Sequence, residues 1–486
     1  MDVRGLFSRK KQDHTGLKKQ VTIGLDFGTS SSKVMVNIHG VTTSKDQMYA
    51  FAFHDQDQNQ ENFMFPSVVG SVNNEIVTGF AAENLVNCYE SFKMWLPKLA
   101  GAPFDQMVTN KYPKLEDDVL PLGTELVSAK ELAIIHLAEV LRRVLNALSQ
   151  FEPNTNFDLL LNMACPLGPV LLNKEQIQNS SNDKKNDTKK KYIDLVHEIG
   201  WRALDLALAK VLSPSIDACK ATDILFAHEK QKQVKQMGED NVMVMPEAHA
   251  AVISYIMHPS REKGRYITVD IGAGTTDSAM FWLTPKQMRE VLYYSFETAY
   301  YGMDDIDIMV FEHDEAKTDL SARKYREKRG LKTEDREIVL KPLSKMWKTF
   351  KNVFGQSYEK EQEARRWHEK GKAKFKVLLL GGGSEQPLIQ EEFERPDRTP
   401  WQGLINDWDV DRLEAKQGRK VLLEDGSVVT KGMVAEKYDH SRIFLVIAEG
   451  LAHRAIETPP WDIQENPVPI INRQISDRPT HDDLYG

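Results

Sequence analysis

The chain has 486 residues, 41% hydrophobic and 28% charged, with a formal net charge of −8. That length exceeds a single core and implies two or more domains; the composition excludes fibrous and disordered classes, and the acidic balance argues against a dedicated duplex-DNA binder, leaving RNA or membrane contact to a local basic patch. Cys88, Cys165 and Cys219 have no CxxC spacing, and no apolar run forms a membrane span or a signal core, so a cytoplasmic protein in a reducing compartment is expected.

Residues 1–20 are polar and basic without periodicity and read as a mobile arm, either a solvated tail or a contact for anionic surfaces. From Val21, "VTIGLDFGTSSSKVMVNI" predicts strand, tight turn, strand. "FMFPSVVGSVNNEIVTGFAAENL" predicts strands around a turn, closing on a helix. In "VSAKELAIIHLAEVLRRVLNAL", Leu132, Ile135, Leu137, Val140, Leu141 and Val144 fall on one helical face. "FDLLLNMACPLG" is a buried strand, and the charged run Asn179–Lys191 a surface loop. A helix follows in "YIDLVHEIGWRALDLALAKVL". "NVMVMPEAHAAVISYIM" predicts a strand ending at Pro246 and then a helix. A second strand–turn–strand, "YITVDIGAGTTDSAMFWL", starts at Tyr266. The charged segment 317–374 has helical period. "FKVLLLGGGSEQPLIQEEF" reads as buried strand, glycine triplet and helix. "KVLLEDGSVVTK" is a hairpin around Asp425–Gly426, "RIFLVIAEGLAHRAIE" a small-residue helix, and the tail from Pro459 is extended.

The two strand–turn–strand stretches share one form, an apolar strand ending in Asp, a Gly/Thr-rich turn and another strand. Small residues let backbone N–H groups converge on a phosphate. An Asp at the strand end can hold a divalent cation or its water. Neither a Walker loop nor GxGxxG is present. One such hairpin is equally well an ordinary turn; two, each with its Asp, favour a phosphate site.

These loops resemble phosphate loops one and two of the actin, Hsp70 and sugar-kinase ATPase superfamily, and "VLLLGGGSEQPLIQEEF" resembles its adenosine motif. Hsp70 is the closest pattern. "ESFKMWLPKLAG" resembles the segment carrying its catalytic lysine, "VMPEAHAAVISY" its connecting segment with Glu247 after Pro246, and "TAYYGMDDIDIMV" its Gly-Gly-Glu-Asp-Phe-Asp stretch. The resemblance runs in patches from Val21 to about Ile456. It implies a two-lobed α/β ATPase of duplicated ribonuclease-H-like domains with the nucleotide between the lobes. The expected layout is 1–20 arm, 21–255 lobe I, 256–440 lobe II, 441–460 a helix returning to lobe I, and 461–486 tail.

By the same resemblance the cofactors are ATP and Mg²⁺. Asp26, Lys93, Glu247 and Asp270 are the catalytic set, and Asp26, Asp270 and Asp277 the metal candidates. Gly28, Thr29, Ser30, Ser31, Gly272, Gly274, Thr275, Thr276, Gly302, Gly381, Gly382, Gly383 and Ser384 line the nucleotide. Each has a plainer alternative. Lys93 is otherwise a surface lysine, and Glu247 a helix N-terminal charge after proline. Asp304, Asp305 and Asp307 serve equally as a helix-capping cluster, and the Gly381–Gly383 triplet as a turn. Hsp70 chaperones continue into a peptide-holding β-sandwich. After the last helix this sequence shows no alternating strands, so an ATPase without that module is expected. The insertion at 399–440 is either a partner-binding element or a surface hairpin. The resulting expectation is an ATP-driven switch acting on a protein partner, with no specific nucleic acid and no membrane span. The alternative is an actin-like, self-associating filament protein.

Overall fold

The computed structural model describes residues 19–40, 47–85, 87–101, 111–112, 119–165, 182–208, 216–217, 241–257, 262, 264–283, 291–314, 321–363, 374–394, 407–412, 414–415, 420–430 and 433–453. The arm at 1–18, residues 179–181 of the charged run, 399–406 of the insertion and the tail from Pro459 lie outside them. Strands of the two larger sheets are β1 (Lys19–Phe27), β2 (Ser31–Ile38), β3 (Gln47–Asp55), β4 (Phe157–Cys165), β5 (Val242–Pro246), β6 (Gly264–Ile271), β7 (Thr276–Leu283), β8 (Val291–Ala299), β9 (Lys374–Leu380), β10 (Asp407–Arg412), β11 (Lys420–Leu423) and β12 (Val428–Val429). The helices used below are α1 (Ala129–Phe151), α2 (Asn182–Leu208), α3 (Glu247–Ile256), α4 (Met303–His313), α5 (Ala322–Arg329), α6 (Arg336–Glu363), α7 (Pro387–Phe393) and α8 (Val446–Leu451). The protein is mixed α/β, and among the described residues no helix is long and apolar enough to cross a membrane.

Two compact units divide the chain. Met1–Ser254, Gly272–Gly274 and Glu414–Arg454 form the first; Tyr255–Ile271, Thr275–Leu413 and Ala455–Gly486 form the second. In the first unit a sheet runs in the order β5-β4-β1-β2-β3-β11-β12, with two short strands off this path. β1, β2 and β3 form an antiparallel meander, and β4 and β5 add parallel to β1. Parallel neighbours need a crossover, and α1 and α2 lie in the intervening stretches. From Val21 to Phe27 every residue of β1 is buried, which matches the near-continuous apolar run of a strand covered on both faces.

The second unit repeats the plan. Its sheet runs β8-β7-β6-β9-β10, with β6, β7 and β8 antiparallel and β9 and β10 parallel to β6. Ile267, Val269, Ile306, Val339, Met346 and Val377 sit in one core between this sheet and its helices. Each such side chain contributes roughly 1.5–3 kcal/mol by leaving water.

α1 opens with a capping box, in which Ser128 and Glu131 exchange hydrogen bonds with each other's backbone N–H, and it buries the apolar face read from the sequence. α8 packs in the first unit, where Asn162 Nδ2 donates to the carbonyls of Leu451 (2.7 Å) and His453 (3.1 Å), and Asn37 Nδ2 to that of Ala452 (3.2 Å). Those amides serve carbonyls left over at a helix end.

Two expectations need correction. The charged run at 179–191 is not a loop where it is described, because α2 starts at Asn182. Lys191 pairs with Asp187 one turn back (2.6 Å), and Tyr192, Val196 and Ile199 bury the face that follows. The hairpin around Asp425–Gly426 exists, but β11 pairs in parallel with β3, so it belongs to the first unit although the sequence reading placed 256–440 in the second lobe. Arg143 on α1 holds Glu424 at its turn (2.7 Å), which makes this stretch an extension of the sheet.

Candidate functional site

In the first unit β1, β4 and β5 run the same way and end together, with Leu25 opposite Met163 and Cys165 opposite Pro246. Asp26 near the end of β1 and Glu247 just after β5 therefore arrive at one edge, the carboxyl end of parallel strands, where open α/β sheets take ligands. Lys93 comes from a 3₁₀ turn, Phe92–Trp95. Its Nζ stands 2.6 Å from Glu247 Oε1 and 5.5 Å from the Phe27 ring centroid. Across the hairpin Lys33 Nζ reaches Asp26 Oδ2 at 3.0 Å, in register.

Asp26, Lys93 and Glu247 are 5%, 8% and 7% exposed, and charges so buried persist only when paired. Burial pushes the Glu247 carboxyl above its ordinary range, the Lys93 ammonium pulls it down, and the charge of Asp26 pushes it up again. The net direction is upward. Lys93 is buried and so is not a surface lysine, while Glu247 is both the first residue of α3, directly after Pro246, and a partner in this buried pair.

Gly28, Thr29 and Ser30 turn the hairpin and Ser31 opens β2. A Cβ on Gly28 would meet the Ser31 carbonyl oxygen at 2.4 Å and Lys33 Nζ at 3.0 Å, so only glycine closes the turn this tightly beside the ammonium. Thr29 is almost buried, its hydroxyl 3.5 Å from Met94 Sδ.

The corresponding hairpin in the second unit differs at the equivalent register position. Asp270 faces Asp277, where Asp26 faces Lys33. Asp277 is held by hydroxyls, accepting from Thr275 Oγ1 (3.2 Å) on one oxygen and from Thr298 on the other. Thr276 is fully buried and donates to the Tyr301 carbonyl (2.7 Å), so its hydroxyl is directed into the fold. Gly272 and Gly274 lie in the bend between β6 and β7.

β9 ends level with β6, Leu380 opposite Asp270. Gly381 follows with φ +78°, and a Cβ there would stand 2.2 Å from Asp270 Oδ1. Gly382, Gly383 and Ser384 form a 3₁₀ turn in which Ser384 Oγ donates to the Gly381 carbonyl (2.7 Å). The triplet thus has a packing reason, and it sets a bare backbone beside Asp270. Gly302 precedes α4, its N–H donating to Asp305 Oδ2 (2.8 Å). Asp305 is the cap. Asp304 and Asp307 pair with Arg323 and Arg326 of α5, each at 2.8 Å. Burial holds the Asp307 carboxyl up at about 6, against the opposing pull of Arg326.

Each unit thus gathers its own share of the sequence-predicted residues at the carboxyl edge of its sheet: Asp26, Gly28–Ser31, Lys93 and Glu247 in one, Asp270, Thr275–Asp277, Gly302 and Gly381–Ser384 in the other. Sequence reasoning missed Lys33, whose signal was its register: a tight turn after Asp26 sets residue 33 opposite it. No group of three or more His, Cys, Asp or Glu able to hold a metal by protein ligands alone occurs among the described residues. No protein-family model matches the chain, and no curated protein matches its sequence.

Proposed function

We propose that the protein binds ATP with Mg²⁺, hydrolyses it slowly, and passes the difference between its nucleotide states to a protein partner. The observation that carries this reading is the buried cluster of Asp26, Lys93 and Glu247. These residues come from segments far apart in sequence and share one sheet edge, with Lys93 2.6 Å from Glu247. The repeated five-strand plan, each copy with its Asp-bearing hairpin at the same end, supports a duplicated ribonuclease-H-like ATPase of the actin and Hsp70 kind.

The residues suit these ligands. Gly28 and the Gly381–Gly383 turn leave backbone that no Cβ covers, as a phosphate or a ribose requires. Asp26 in the first unit and Asp270 with Asp277 in the second are hard carboxylate oxygen donors of the kind Mg²⁺ takes one or two at a time while keeping its waters. When bound, Mg²⁺ supplies charge neutralisation to the phosphate oxygens.

The protein's own groups do the rest. Lys33 and Lys93 offer positive charge to the phosphates. Glu247, with its raised proton affinity, accepts a proton from the attacking water as the bond from water oxygen to the terminal phosphorus forms and the bond to the bridging oxygen breaks. The products are ADP and phosphate. Positioning and charge neutralisation carry most of such a reaction, so no covalent nucleophile is required. Differential contacts to the terminal phosphate would shift the protein between two conformations, the form of switching an ATP-driven partner protein needs.

The test is phosphate release from ATP by the intact chain with Mg²⁺, alongside Glu247→Gln. Slow turnover that the substitution abolishes, with ATP still bound, is expected; full turnover in the variant would overturn the assignment.

A further inference from the structure

Beneath the first hairpin lies a hydrogen-bonded support that none of the chemistry above uses. The short strand Phe65–Pro66 pairs with the start of β2, Ser31 opposite Pro66 and Ser32 opposite Phe65. Ser67 comes next and grips the turn twice: its N–H donates to the Ser30 carbonyl (2.9 Å) and its hydroxyl to the Gly28 carbonyl (2.9 Å). His136, from the middle of α1, sets Nε2 2.9 Å from Ser32 Oγ and 3.5 Å from Ser67 Oγ.

The imidazole is fully buried among the rings of Phe27, Phe65 and Phe92, with centroids 6.0, 5.6 and 5.7 Å away. Burial lowers its pKa to about 3, so the ring is neutral. Nδ1 has no hydrogen-bond partner among the described residues. A buried N–H without an acceptor is costlier than a bare ring nitrogen, so the proton sits on Nε2 and points at the two serines. Ser67, its oxygen facing that N–H, keeps its own proton on the Gly28 carbonyl. With the carbonyls of Gly28 and Ser30 held by Ser67, trans peptide geometry turns the N–H groups of Thr29 and Ser31 the other way.

We propose that Ser67 and His136 are positioning residues that fix the Gly28–Ser31 turn, which the Gly28 N–H closes on the Ser31 carbonyl (3.2 Å), with the N–H groups of Thr29 and Ser31 presented to the phosphates of a nucleotide. This rests on the ATP reading above. They touch no substrate and act through the turn. A general loss of packing would weaken every ligand alike, whereas a loosened turn weakens only ligands that carry phosphate.

The experiment uses the full chain and its Ser67→Ala, His136→Leu and His136→Gln variants. It reads amide hydrogen exchange without ligand at Gly28 and Ser67, whose N–H groups are hydrogen-bonded within the turn, and calorimetric affinity for ATP, ADP and adenosine. In Ser67→Ala the exchange should speed up about tenfold and ATP and ADP should bind about tenfold more weakly, the scale of one lost hydrogen bond to a backbone carbonyl, with adenosine unchanged. His136→Leu should behave in the same way, and His136→Gln, which keeps an N–H donor, should recover most of the loss. Wild-type exchange in Ser67→Ala, or equal weakening of ATP and adenosine, overturns the proposal. If the intact chain takes up no ATP, the ATP reading falls. Faster exchange in Ser67→Ala then still supports the anchor, and unchanged exchange overturns it.

Discussion

The two hairpins share a strand plan and a register, yet their acidic residues meet opposite neighbours. Asp26 faces Lys33 at 3.0 Å, while Asp270 faces Asp277, which Thr275 and Thr298 hold by hydroxyl. The first hairpin is charge-balanced within itself and supported from below by Ser67. The second collects like charge, an arrangement disfavoured across an antiparallel pair unless a cation or a chain of donors offsets it. The same strand plan places an Asp at each sheet edge, with a lysine opposite it in one unit and a second carboxylate opposite it in the other.

The largest effect that would break this comparison lies in the first unit. Glu247→Gln keeps the shape and removes the base, so ATP turnover should fall by roughly 10²–10⁴ while binding persists. Steady-state phosphate release and calorimetry separate the two.

Next come the cross-strand partners. Lys33→Met leaves Asp26 without its ammonium and should lower unfolding free energy by about 3 kcal/mol in a denaturant titration. Asp277→Asn, at the matching position, relieves a like-charge pair and should stay within about 1 kcal/mol of wild type. Equal losses would show that the two hairpins are not divided as described.

A pH effect follows from α4. The folded protein holds a proton on Asp307 up to about pH 6, above the ordinary carboxyl value of 3.8. The folded state therefore binds that proton more tightly than the unfolded chain. Relative to Asp307→Asn, wild-type stability should be greatest below about pH 4 and decline by at most about 3 kcal/mol as pH rises through 6. Thermal unfolding across that window checks the sign.

The smallest effect is at Ser128, whose capping box starts the helix carrying His136 beneath the first hairpin. Ser128→Ala should cost about 1 kcal/mol by the same denaturant measure.

The features legible in the sequence were those with a local cause. Apolar runs ending in Asp–Gly turns gave both hairpins, the spacing of Leu132 to Val144 gave α1, and Pro246 marked the change from strand to helix. The patches carrying Lys93 and Glu247 were found by resemblance, and their pairing needed the fold. Asn182–Lys191 was misread because a charged stretch has no apolar period, although the helix continues into it from Tyr192. The pairing of β11 with β3 joins segments far apart in the chain, so no local pattern announces it. Lys33 was in plain view, but its role depends on a register that only a formed hairpin fixes. Ser67 and His136 were invisible for the same reason: a serine after proline and a histidine on an apolar helix face look ordinary until the turn they support is built.

The central proposal is that the residues around the Asp26 and Asp270 hairpins take ATP with Mg²⁺. Calorimetric titration of the intact chain with ATP and Mg²⁺ tests it most directly, run on wild type, Asp26→Asn and Asp270→Asn. The account predicts that ATP binds and that each substitution weakens it, with the strengthening of ATP binding by Mg²⁺ lost chiefly in Asp270→Asn. No binding, or a variant indistinguishable from wild type, would contradict it.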